Sequence, residues 1–339
     1  MIKMKNRNLG IQILRSLLCF WILLNHCLNK NNNKKLCTIL FKYRMHVPCF
    51  ILIAFYFSNK IIISRNIINI KKRLERLLIP YFILPIIILI INNILYNYTS
   101  FSLFGRILNI KDLSYQYLFG RKLIPVFWFQ FYIIWSTLLF IIISFLFGKK
   151  FSIIIIHIFF ISYIIQYSNF NHKYFSNFST QVKCSLGCFA EMLPISATGC
   201  ILSSQNTFSL INNKINAIYF SIICLFLIFF YDLFKFIESI SFSGISLNVG
   251  SILLFIIFYL VPLNYIKSIT FKNIISTLTN CTQGIYSLHI TTMHILSKKI
   301  IIFKYGSLKS CIFLYIFCYL ISYFGYKLTK NNKLIYLFI

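Results

Sequence analysis

The sequence predicts an all-α polytopic membrane protein of about ten transmembrane helices with no soluble domain. Three observations predict it. Of the 339 residues, 59% are apolar and 12% charged, whereas a soluble globular domain carries about 45–50% and about 25%. Apolar runs of membrane-crossing length recur along the whole chain. The cations sit in short clusters between those runs, such as Lys71–Lys72–Arg73 and Lys149–Lys150. An ordinary soluble enzyme has nowhere to bury this much apolar surface, and a disordered basic protein would not contain it.

The formal net charge of +29, from 34 Lys and Arg against five acids, raises the question of a nucleic-acid partner. Nucleic-acid binders gather their cations on one face of a folded domain. Clusters that flank apolar runs are instead the pattern of a chain in a lipid bilayer, so no nucleic-acid partner is expected. The eleven cysteines are scattered, and most lie inside apolar runs. Cys184 and Cys188 stand four apart on one helix face, where thiols that pack a helix are the commoner case than a metal site. No metal is expected.

The elements follow in order. Lys3, Lys5 and Arg7 precede an apolar run at 11–28; no small-residue cleavage site follows it and Arg15 interrupts it, so it reads as a retained first helix. Runs able to cross about 30 Å of hydrocarbon then fall at 46–63, 77–96, 126–147, 151–168, 184–204, 215–232, 249–266, 281–303 and 307–326. Gly148–Lys149–Lys150 is so short that the fourth and fifth spans form an antiparallel hairpin. The longest polar connections are 97–124 and 29–45. No repeat or linker divides the chain, which reads as one integral membrane domain, 1–339.

Ten spans put both termini on one side. With Arg15 set aside, that side carries 17 Lys and Arg and the other 16, so the tally does not orient the chain. Density does: five cations lie within 65–76 and three in the first seven residues. Both termini are therefore expected in the cytoplasm, in the cell membrane.

Ionisable residues inside spans are functional candidates by default. Arg15 and His26 are eleven residues apart, three turns plus about 20°, so they share a face of the first helix, separated by roughly 16 Å along its axis. Glu191, in the sixth span, reads as a counter-ion for Arg15 or as a structural hydrogen-bonder. His46 opens the second span at the surface that His26 reaches, either as its neighbour or as an interfacial His before a Pro-started helix. Arg73 and Arg76 are one turn apart and either clamp a phosphate or flank the third span.

In order along the chain, these residues resemble a known pattern. Arg15, ten residues and His26; Val47–Pro48–Cys49–Phe50; Arg73 and Arg76 before Pro80; Phe127–Trp128–Phe129; and Gly284–Ile285–Tyr286–Ser287–Leu288–His289 are similar to the successive motifs of the membrane acyltransferase 3 family, over a core of about 9–326. Many members carry Ser-Gly where this chain has Ala54–Phe55. The resemblance implies transfer of an acyl group, most often acetyl from cytoplasmic acetyl-CoA, to a hydroxyl of a cell-surface polysaccharide or lipid-linked glycan. His26 and Arg15 would then be catalytic, Arg73 and Arg76 would bind the CoA phosphates, and His46 and Glu191 are further candidates. Two other readings stay open: a transporter or flippase of a lipid-linked glycan, and a glycan polymerase using Arg106 and Arg121 of the longest loop.

Overall fold

A computed structural model describes residues 8–28, 45–96, 116–118, 128–167, 180–204, 211, 213–234, 245–261, 268–299, 307–329 and 332. These residues form α1 (Leu9–Cys27), α2 (His46–Ser64), α3 (Ile67–Tyr96), α4 (Trp128–Phe147), a 3-10 turn (Gly148–Lys150) and α5 (Phe151–Tyr167). There follow α6 (Thr180–Ser204), α7 (Lys214–Phe234), α8 (Ile245–Leu260), α9 (Ile269–Asn280), α10 (Thr282–Lys299) and α11 (Leu308–Thr329). The connections 29–45 and 97–124, with Arg106 and Arg121, lie almost wholly outside the described residues.

Each expected span overlaps a helix, the eighth (249–266) shifted to Ile245–Leu260, and two further regions differ from expectation. α3 begins ten residues before its apolar run, lifting Arg73 and Arg76 onto a helical extension. The stretch after the eighth span, expected as a polar connection, contains α9, opened by Ser268, whose hydroxyl accepts the Phe271 N–H at 3.2 Å. Among the described residues, four stretches are long and apolar enough to cross a membrane: Leu9–Cys27, His46–Ser64, Trp128–Ile164 and Leu308–Thr329. Shorter apolar helices run over Met192–Ser204, Lys214–Ile228 and Leu247–Leu260.

The outside of the bundle carries the mark of lipid. On α7, Ile215, Tyr219, Phe220, Ile223, Phe226 and Leu227 are all exposed. The first half of α9, Ile269 to Ile274, is exposed whether apolar or polar, and its buried residues are Ser276 and Thr279. The Thr279 hydroxyl donates to the Gln12 carbonyl of α1 at 3.1 Å. Such surfaces are stable where the solvent is hydrocarbon and every polar group finds its partner inside the protein.

Two glycines set the packing around α1 and α2. Asn8 caps α1, accepting from the Ile11 N–H at 3.1 Å, and its amide donates to the Tyr259 carbonyl at 2.9 Å. The start of α1 thereby lies on the end of α8, so close that a Cβ on Gly10 would stand 1.8 Å from the Phe258 carbonyl oxygen. On α6, a Cβ on Gly199 would stand 2.7 Å from the Leu52 carbonyl oxygen of α2. Ala54–Phe55 falls in this α2–α6 contact: Phe55 is fully buried, edge-on to Phe140 at 5.2 Å. The close backbone approach is supplied by the opposite helix, through Gly199. One apolar cluster joins α1, α2, α3, α4, α5, α6 and α8; a second, rich in Cys, joins α1, α10 and α11.

Candidate active site

α1 carries the site along one face, and α3 and α10 complete it. At the N-terminal end of that face, the Arg15 guanidinium donates to the Thr282 hydroxyl at 2.9 Å, and that hydroxyl in turn donates to the Thr279 carbonyl at 2.9 Å. Thr282 is the first residue of α10, so the start of that helix holds Arg15 in place.

The helical extension of α3 brings in two more cations. Arg73 is half-buried, and its Nε is enclosed without a hydrogen-bond partner. Burial pushes the Arg73 guanidinium down to about 10, and the charges of Arg76 and Arg15 push it the same way. It remains a cation at neutral pH. Arg73 therefore carries a buried, open donor and feels the charges of two other guanidinium groups, Arg76 one turn away on α3 and Arg15 on α1. Such an arrangement has the chemistry to accept a multiply charged anion such as a phosphate group. Among the described residues, no three His, Cys, Asp or Glu side chains converge to ligate a metal.

At the other end of the α1 face, His26 is exposed and its ring centroid stands 5.1 Å from that of His289, on α10. His289 is fully buried. Its Nδ1 is hydrogen-bonded to the Tyr286 carbonyl, and its Nε2 is enclosed without a hydrogen-bond partner. Tyr286 is braced by Phe129 of α4 at 5.2 Å, and Phe129 in turn meets Phe50 of α2 at 6.4 Å. The aromatic line thus ties the Trp128–Phe129 helix start and the α2 opening to the imidazole pair.

The structure therefore groups Arg15 with Arg73 and Arg76, and His26 with His289. His46 is buried and packs on a different side chain of α1: the Asn25 amide nitrogen lies 3.2 Å from its Nδ1, and its ring is 5.7 Å from that of Trp21. Glu191 lies on α6, and its side chain is outside the described residues. Thr282 and His289 were not singled out as site residues by sequence. Two signals were available: His289 closes the Gly284–Ile285–Tyr286–Ser287–Leu288–His289 motif, and seven residues separate it from Thr282, two turns less about 20°, the same one-face register that links Arg15 to His26.

The family model of the acyltransferase domain matches residues 8–326. No curated protein and no solved structure matches the chain. The match spans all the helices just described, from the Asn8 cap of α1 into α11. The chain belongs to the acyltransferase 3 family of multi-pass integral membrane proteins.

Proposed function

We propose that this acyltransferase moves an acetyl group from cytoplasmic acetyl-CoA to a hydroxyl of a cell-surface polysaccharide or lipid-linked glycan, the whole chain acting as one domain. The observation that carries the reading is the division of one α1 face between an anion-binding end and an imidazole end. Arg73 and Arg76, with Arg15 beside them, bind the phosphates of the donor. The roughly 16 Å between Arg15 and His26 keeps both from touching one carbonyl. A donor lying along the face, phosphates at the arginines and thioester toward His26, uses both ends at once.

At the thioester, His26 accepts the proton of the acceptor hydroxyl as its oxygen attacks the acetyl carbon. The carbon–sulfur bond then breaks, and the departing thiolate takes the proton from His26, leaving the O-acetyl ester and CoA thiol. His26 suits this role because its ring is exposed, where an acceptor reaches it. Replacement His26→Ala is expected to abolish the acetyl methyl signal in the NMR spectrum of the surface polysaccharide, with the protein still present in the membrane at its normal level. General-base removal typically costs about 10²–10⁴-fold in rate. Undiminished acetylation in that variant would overturn the assignment.

A further inference from the structure

We propose that His289 is a positioning residue for His26, its buried Nε2 accepting the N–H of the His26 imidazole and fixing the tautomer whose other nitrogen takes the acceptor's proton. This rests on the reading of His26 as the general base. A carbonyl oxygen only accepts hydrogen bonds, so the bond to the Tyr286 carbonyl requires the hydrogen on Nδ1 of His289. In the neutral ring, Nε2 then carries a lone pair. That atom is enclosed, and no hydrogen bond satisfies it. A buried polar atom left unmatched beside a second imidazole points to a bond made during turnover. With ring centroids 5.1 Å apart, a small rotation of the exposed ring brings a His26 nitrogen to hydrogen-bonding distance.

The two rings are unequal, and the inequality assigns their roles. His26 is exposed and meets the acceptor; His289 is fully buried and cannot. His289 is also held on its other side, because Tyr286 packs on both the His289 ring, at 5.8 Å, and Phe129, at 5.2 Å. A pinned acceptor behind a mobile base is the arrangement by which a third group orients a catalytic imidazole and favours its protonated form during transfer. The proton that His26 takes from the hydroxyl goes on to the departing thiolate; His289 neither gains nor loses one.

The test uses the full chain in lipid nanodiscs, with radiolabelled acetyl-CoA and envelope polysaccharide stripped of acetyl groups by mild base. His289→Phe keeps the ring volume but offers no acceptor, whereas His289→Gln returns a carbonyl oxygen near the place of Nε2. His289→Phe should lower kcat by about 10- to 100-fold, the scale of a lost hydrogen bond to a charged group, with KM for acetyl-CoA unchanged. His289→Gln should recover most of that loss, and His289→Phe should add nothing further in a His26→Ala background. Full kcat in His289→Phe, or equal losses in the Phe and Gln variants at matched thermal stability, overturns the role of His289 and leaves the acetyl-transfer reading standing. A wild-type chain that moves no label to the polysaccharide overturns both.

Discussion

At the scale of single residues, the proposed donor site turns on how Arg73 differs from a cation that only flanks a span. A lysine or arginine that merely flanks a span keeps its charge in water, whereas the Nε of Arg73 is enclosed and unmatched while the charges of Arg76 and Arg15 act on it. Holding like charges together costs free energy, and a bound anion would offset that cost. The planar fork matters as much as the charge, because it meets two phosphate oxygens together. Arg73→Lys keeps the charge and loses the fork, so KM for acetyl-CoA should rise about tenfold, the equivalent of one charge-assisted hydrogen bond, with kcat little changed. Titration of initial rates against acetyl-CoA measures this, and an unaltered KM would return Arg73 to a flanking role. Of this residue-scale picture, the Arg15–His26 register was legible because it depends on spacing within one helix. The partners Thr282 and His289 were not, because their contacts depend on how α10 lies against α1, more than 250 residues away in the chain.

Helices were legible where hydropathy alone defines them and less so where packing does. α9 is the instructive case. Phe271, Ile274, Ile275 and Leu278 fall at i, i+3, i+4 and i+7, a helical period that a search for membrane-length runs passes over in a twelve-residue segment. Its outward apolar face could be assigned only once Thr279 was seen bonded to α1. Gly10 is a second feature that sequence leaves silent. Replacing glycine by alanine in a helix ordinarily stabilises it by up to about 1 kcal/mol. Here the new Cβ would sit 1.8 Å from the Phe258 carbonyl oxygen, a backbone atom that cannot rotate aside. The sign should therefore reverse: Gly10→Ala should lower the melting temperature of the purified protein, and Gly10→Val should lower it further, as overpacking costs about 1–3 kcal/mol. A rise in melting temperature for Gly10→Ala would mean that α1 and α8 are not held at this separation.

At the scale of the whole molecule, the charge of +29 divides so evenly between the two sides that it orients nothing. Two arguments of different kind support the orientation proposed for the chain, with both termini in the cytoplasm. The first is local density: the α2–α3 turn and the extension of α3 gather Arg65, Lys71, Lys72, Arg73 and Arg76, and positive charge beside helix ends stays on the cytoplasmic side. The second is chemical. The Arg15, Arg73 and Arg76 end must meet the donor, and acetyl-CoA is a cytoplasmic metabolite in the proposed reaction. In that reaction His26 and the start of α2 lie toward the opposite surface, where a glycan acceptor would be met. On the proposed reaction, the two termini lie inside the cell and the 29–45 connection outside. A green fluorescent protein fused after Ile339 should therefore fluoresce, and alkaline phosphatase inserted within 29–45 should be active. The reverse pattern would put the arginine end outside, beyond reach of a cytoplasmic donor, and the acetyl-CoA reading would fall with it.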